Sequence, residues 1–165
     1  MQWNPHLTVA TIVEKNGLFL CVQEKISGKI VLNQPAGHVE AFENLIDAAK
    51  RETWEETGWH VEITHFIGVY VYTSPSNGIT YYRHCFAGEA IARDTNFQLE
   101  PGIIDAVWMT LDEIKQCQNM HRSPLVIKCA EDYMRNQKFP LCAIYEHSLS
   151  QSNWNHGEAA REETP

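Results

Sequence analysis

No apolar run in this chain approaches the roughly 20 residues that a membrane-spanning helix needs, and the N-terminus lacks the charged-then-apolar order of a signal peptide. Both absences lead to the expectation of a soluble cytoplasmic protein with no membrane partner. Cysteine is sparse: Cys21, Cys85, Cys117, Cys129 and Cys142 are odd in number, scattered and without a CxxC pair. That pattern speaks against a disulfide framework and against a zinc site, leaving small packing residues with free thiols. Basic residues are in the minority, 13 Lys and Arg against 21 Asp and Glu, for a formal net charge of -8. A phosphate backbone is bound through Lys and Arg that release its counterions, so broad nucleic-acid affinity is disfavoured. A small phosphorylated substrate stays open, with a metal to bridge two negative partners. HExxH and His–Asp spacings are missing, so His38 and His84 read as structural or surface residues. Internal repeats and low-complexity tracts are missing too.

What is present fits one domain. At 165 residues with 44% hydrophobic content, the chain can bury a sizeable core. Residues 1–147 read as the domain and residues 148–165, polar and nearly devoid of aliphatic side chains, as a flexible tail. Leu7 to Val13 and Leu18 to Gln23 predict a hairpin around Asn16-Gly17. A short strand from Lys29 to Leu32 follows, then a loop at Gln34-Pro35-Ala36-Gly37. A helix is expected from Asn44 to Thr57, stopped by Gly58. Two long strands, Val61 to Tyr72 and Ile79 to Ala92, flank the turn-prone Ser74–Gly78. After a strand from Ile104 to Met109, Thr110 and Glu113 have capping-box spacing for a short helix. Ser123-Pro124 opens a last helix reaching Asn136, with Leu125, Cys129, Ala130 and Tyr133 available for burial. This irregular mixture of strands and helices indicates an α+β chain or a mixed-sheet sandwich.

The most informative stretch runs from Gly37 to Trp59, GHVEAFENLIDAAKRETWEETGW. By helical angle, Leu45, Ala48 and Ala49 share a face with Glu52, Glu55 and Glu56, so the acids continue the stripe that should meet the core. A solvated acidic patch would lie on the other side. Carboxylates converging at these spacings repel one another, and desolvating one costs several kcal/mol unless a cation or proton neutralises it. A hard divalent metal is the simplest neutraliser, and magnesium takes such oxygen ligands. Backbone carbonyls at Ala36-Gly37 can add a ligand, Arg51 can orient a carboxylate, and Glu43 suits the positive end of the helix dipole. A metal so held can polarise a phosphoryl oxygen and acidify a water, which leads to phosphoanhydride hydrolysis.

These residues resemble the signature box of the Nudix hydrolases: Gly, five residues, Glu, seven residues, Arg-Glu, two residues, Glu-Glu, one residue, Gly. Gly37, Glu43, Arg51, Glu52, Glu55, Glu56 and Gly58 fall in register, while Thr53 and Trp59 stand where the family usually has an aliphatic residue. Those two departures bear on packing rather than chemistry. The resemblance implies the α+β Nudix fold, a mixed β-sheet sandwiched between α-helices. It also implies Mg2+ as cofactor, with Mn2+ as a substitute, and cleavage of a nucleoside diphosphate linked to another group. By position, Glu52, Glu55 and Glu56 would be metal ligands with Gly37 beside them, Arg51 the orienting residue and Glu43 a supporting acid. The base would come from the box, as Glu55 or Glu52, or from a later loop, as Glu100 or Asp105. From Pro5 to Tyr145 the chain further resembles the NudJ-type phosphatases, a Nudix subgroup acting on nucleoside tri- and diphosphates and on hydroxymethylpyrimidine pyrophosphate, a thiamine precursor. The marks are Asn33-Gln34-Pro35-Ala36-Gly37-His38, Trp54 and Arg122-Ser123-Pro124-Leu125-Val126.

Outside the box, Arg83 can bind phosphate or form a surface ion pair, and Tyr81 shares its strand face at period two. Asn33 and Gln34 can read a pyrimidine edge or satisfy backbone groups of a turn. Trp54 points away from the acids and reads as a packing or oligomer contact, in a monomer or a homodimer. Three functions follow. The first is a magnesium-dependent pyrophosphatase on nucleoside di- and triphosphates or a pyrimidine pyrophosphate. The second is a Nudix hydrolase of a bulkier substrate such as a dinucleoside polyphosphate, nucleotide sugar or capped RNA. The third is a nucleotide-binding module without turnover.

Overall fold

A mixed β-sheet organises the chain in a computed structural model that describes residues 3–147. The segment 148–165, expected to be a flexible tail, lies outside the described residues. Strands β1 (His6–Lys15) and β2 (Leu18–Ile26) form the expected hairpin, with Asn16 and Gly17 at φ 56 and 80 as its tight turn requires. They pair only at Lys15–Leu18 and Glu14–Phe19, then splay apart. The β1 arm runs parallel to β6 (Thr80–Arg93), which pairs antiparallel with β5 (Trp59–Thr73) through the predicted turn, where Ser74 N–H donates to Ile79 O at 2.9 Å. The β2 arm takes antiparallel β3 (Lys29–Asn33) on one side and antiparallel β7 (Ile103–Thr110) on the other.

One expectation fails at Ala36-Gly37. In place of a simple loop, a short strand β4 (Ala36–His38) lies antiparallel against the other edge of β1, with Gly37 opposite Val9. Backbone groups laid against a buried strand need partners, and here Thr11 N–H donates to Pro35 O at 3.0 Å and Val39 N–H to Leu7 O at 3.2 Å.

Helix α1 (Leu45–Thr57) starts one residue after Asn44, whose side chain caps it by accepting from Asp47 N–H at 2.8 Å. Glu146 closes the same end, accepting from Leu45 N–H at 3.1 Å. Gly58 ends the helix at φ 71, a conformation that glycine adopts without the clash of a β-carbon. Leu45, Ala48 and Ala49 pack on Val9, Val13, Leu20, Val61, Ile63 and Phe86. On the opposite face α2 (Leu111–Gln116), with the expected Thr110–Glu113 capping box, and α3 (Leu125–Met134) cover Ala10, Ile12, Phe19, Ile67 and Cys85. The sheet therefore lies between helices, the α+β arrangement expected. All five cysteines are free. Among the described residues no helix is long and apolar enough to cross a membrane.

Helix α3 is shorter than expected. It begins after Pro124, with Ser123 Oγ accepting from Leu125 N–H at 3.3 Å, and ends before Asn136, which turns at φ 61. Val126, Cys129, Ala130 and Asp132 are its buried residues, whereas Leu125 and Tyr133 are half-buried. Asp132 is tolerated inside because Tyr70 donates to it at 2.9 Å and Lys128 at 2.6 Å.

The two departures in the box have local reasons. Thr53 is fully buried beneath β1, its Oγ1 lying 2.9 Å from Thr11 Oγ1 and 2.7 Å from Ala49 O. Thr11 answers it from the sheet, 3.3 Å from the same carbonyl, so two hydroxyl protons serve three oxygens. Trp59 sets its edge against Trp108, with ring centroids 5.7 Å apart. Trp54 lies on the far side of the helix from the acids, against His60 and Phe97.

Candidate functional site

The apolar stripe of α1 becomes acidic where the helix passes β4. Glu52 and Glu56 are buried, at 9% and 6% exposure, and Glu55 is half-buried, so the reading of these acids as a solvated patch is excluded. Arg51 joins the group. Its Nε and Nη2 donate to Glu43 at 2.7 and 2.8 Å, its Nη1 donates to both Glu52 Oε1 and Glu55 Oε2 at 2.8 Å, and Nη2 also reaches His38 O at 2.9 Å. One guanidinium thus fixes three carboxylates and the end of β4, an arrangement that its planar fork of donors permits and a lysine does not. Hydrogen bonding to Arg51 holds the Glu43 carboxyl below its ordinary range, and bonding to Glu43 first among the acids pushes Arg51 further up.

Gly37 lies directly against Glu52, whose carboxylate occupies the space a β-carbon would need. One residue earlier, Ala36 N–H donates to Glu56 Oε2 at 2.8 Å. Burial nevertheless pushes Glu56 up to about 9, with added repulsion from Glu24, Glu52 and Glu100. Glu52 is raised as well, first by burial, against the pull of Arg51, with Glu55 and Glu100 adding to the rise. Glu100 therefore comes electrostatically within reach of the helix acids. Asp105 lies in β7 opposite Gln23, its carboxylate accepting from Ala106 N–H at 2.8 Å, and does not figure among the charges acting on them.

Arg83, an expected substrate contact, lies on the other face of the sheet, sharing strand parity with Cys85 and Ala87 beneath α3. Arg83 is 8% exposed on β6 and donates to Gln34 Oε1 and Asn33 Oδ1, each at 3.3 Å. Gln34 is anchored in turn by Nε2 donating to Val126 O at 2.6 Å. No carboxylate pairs with Arg83 among the described residues, which rules out the surface ion pair and leaves a buried cation held by neutral amides. Such a cation suits an anionic ligand. Tyr81 stands apart from this pair, in a rim cluster with His6 and His38, whose Nδ1 and Nε2 are 2.8 Å apart, and with Asn77, which donates to the Tyr81 hydroxyl at 3.2 Å. His84, on the opposite strand face, stacks on Phe66.

Two residues were not read as part of the site in the sequence, although Arg122 stood among the marks of the resemblance. Glu24, from β2, acts on Glu56 across the opening between the hairpin arms, and Arg122 donates to Glu24 Oε2 at 3.3 Å. Glu24 shares strand parity with Leu20 and Val22, which is the signal it carries. For Arg122 no local pattern signals this contact, which spans 98 residues.

The donor set fits a hard divalent cation. It is all oxygen, it holds more negative charge than Arg51 offsets, and Glu24 Oε1 is buried with no hydrogen-bond partner. The fit lies in this chemistry: among the described residues no three His, Cys, Asp or Glu groups stand in ligating geometry, Glu52 and Glu55 being drawn to Arg51.

A family profile described as NUDIX domain matches residues 4–128. Over 140 residues the chain is 41% identical to Phosphatase NudJ of Escherichia coli strain K12, covering 84% of this chain and 90% of that protein. Among solved structures, a NUDIX hydrolase from Nitrosomonas europaea superposes with a TM-score of 0.86 at 41% identity, covering 89% of this chain and 100% of that one. A UDP-X diphosphatase at 15% identity and TM-score 0.68, covering 85% of this chain and 68% of that one, shares the fold alone.

Proposed function

The chain belongs to the Nudix hydrolases, which are phosphoanhydride hydrolases that generally need a divalent metal, and from that premise we propose that it is a magnesium-dependent phosphatase of nucleoside tri- and diphosphates and of hydroxymethylpyrimidine pyrophosphate, acting in the cytoplasm. The observation that carries this reading is the burial of Glu52 and Glu56 beside Gly37, with Arg51 as the cation that organises them. The substrate class rests on the similarity to Phosphatase NudJ.

In this reading Glu52, Glu55, Glu56 and the Gly37 carbonyl hold the metal. What bound Mg2+, or Mn2+ in its place, would supply is positive charge on the phosphoryl oxygens and a more acidic water. Arg51 orients Glu52 and Glu55, and Glu43 braces Arg51 from the other side. Glu55 or Glu52 takes the proton of the attacking water. Glu100 is the better placed alternative base, because its charge reaches both buried acids and that of Asp105 does not figure there. Arg83 neutralises substrate phosphate from its amide cradle of Asn33 and Gln34, and Tyr81 offers a ring for the base at the rim.

The test is product-resolved hydrolysis of nucleoside di- and triphosphates and hydroxymethylpyrimidine pyrophosphate, with and without Mg2+, separating orthophosphate from pyrophosphate. Magnesium-dependent orthophosphate release is expected. No turnover on the panel would move the assignment to a bulkier phosphoanhydride.

A further inference from the structure

Glu24 lies near the end of β2, opposite Val31 of β3 and next to the irregularity where the β7 register shifts. Its side chain is 13% exposed: Oε2 accepts from Arg122 Nη1 at 3.3 Å, while Oε1 is buried and has no partner. A carboxylate oxygen in such a position is costly unless something outside the protein's own hydrogen bonds satisfies it. Two observations say which way this residue belongs. It shares strand parity with Leu20, which packs with Leu45, Ala48 and Ala49, so its side chain lies on the face of β2 that α1 covers. Lys25 N–H donates to Gly102 O at 2.9 Å, which fastens the same strand end to the loop carrying Glu100. Arg122 is itself held by its N–H on Leu32 O at 2.9 Å, so the pair is braced from β2, β3 and the connection before α3.

We propose, on the metal reading given above, that Glu24 is a further metal-binding carboxylate of this site, one oxygen taken by Arg122 and the other left for the cation. A cation there converts the mutual repulsion of Glu24, Glu52, Glu56 and Glu100 into attraction. It also gives Glu24 Oε1 the partner that the protein does not supply.

The experiment is Mn2+ binding without nucleotide, followed by loss of the free-ion electron paramagnetic resonance signal, for the wild type and for Glu24→Gln, Glu24→Asp, Arg122→Gln and Glu56→Gln. Circular-dichroism melts establish that each variant is folded. Glu24→Gln keeps an acceptor for Arg122 and removes the charge, so the Kd for Mn2+ should rise about tenfold or more. Glu24→Asp, which keeps the charge and shortens its reach, should bind more tightly than the Gln variant. Arg122→Gln removes a competing cation and should leave affinity unchanged or improve it. Equal weakening by Glu24→Gln and Arg122→Gln would reduce Glu24 to an anchor for Arg122 and overturn the proposal. Binding lost in Glu56→Gln but untouched in Glu24→Gln would overturn the assignment of Glu24 alone, whereas a wild type that binds no Mn2+ would overturn the metal reading beneath it.

Discussion

Gly37 and Glu52 share a boundary with no room for another atom: a β-carbon on residue 37 would overlap the Glu52 carboxylate. Gly37→Ala must therefore push Glu52 aside, and the shift passes to Arg51, which bonds Glu52 at 2.8 Å and Glu55 through the same nitrogen. A misplacement of about 1 Å can cost on the order of a hundredfold in rate. The kcat for orthophosphate release should fall by about that factor, with only a small drop in melting temperature. An unchanged kcat would mean that Glu52 relocates freely and that its position does not matter.

Glu56 links activity to the pH dependence of stability. Its carboxyl ionises at an ordinary 4.5 when unfolded and at about 9 in the folded chain, chiefly because of burial. Between those values the folded state holds a proton that the unfolded chain has released. The stability it contributes is therefore whole below the unfolded value and drains away as pH rises towards the folded one. In chelator-treated protein, melting curves of the wild type and Glu56→Gln should nearly coincide at about pH 5, with the variant several degrees higher at about pH 8. Mg2+ should close the gap by stabilising the wild type only, and turnover by the variant should fall at least about a hundredfold. Parallel melting curves at all pH values would contradict the assignment.

Arg83 is a buried cation with amide partners and no carboxylate. Arg83→Lys keeps the charge and loses the fork, so KM should rise about tenfold while kcat changes less. Arg83→Gln should abolish measurable binding of substrate yet raise the melting temperature, because an uncompensated buried charge is removed. Loss of stability without change in KM would make Arg83 a structural residue only.

Thr53 and Thr11 form a matched polar pair between α1 and β1. Thr53→Val leaves the Thr11 hydroxyl with the Ala49 carbonyl as its remaining partner and should cost about 1 kcal/mol. Thr11→Val with Thr53→Val removes both members at nearly constant volume, and should cost less than the sum of the single changes by about 0.5–3 kcal/mol. Denaturant unfolding of the four proteins checks the cycle, and strict additivity would refute the coupling.

The helix acids were legible because α1 has a single buried face, and Glu52 and Glu56 visibly continue it from Leu45, Ala48 and Ala49. Glu24 obeys the equivalent strand rule, in step with Leu20 and Val22, yet the rule had no contrast to work with. Phe19, Leu20, Cys21 and Val22 are all buried, so β2 is covered on both faces and alternation vanishes. Strand β4 escaped notice because three residues carry no periodicity and its pairing comes from β1, 28 residues earlier in the register Val9–Gly37. Gln34 was read by its position beside the box, but its tether to Val126 joins residues 92 apart and has no local trace.

That separation also orders events in time. The acids of α1 are synthesised early, but the first turn of their helix is closed by Glu146, Gln34 by Val126 and Glu24 by Arg122. Because the N-terminal parts of a chain leave the ribosome first, a nascent chain that has exposed everything from Gly37 to Gly58 still lacks all three braces. Maturation of the site is thereby tied to translation reaching residue 146, and a message truncated after the acidic helix yields its carboxylates without the scaffold that aims them.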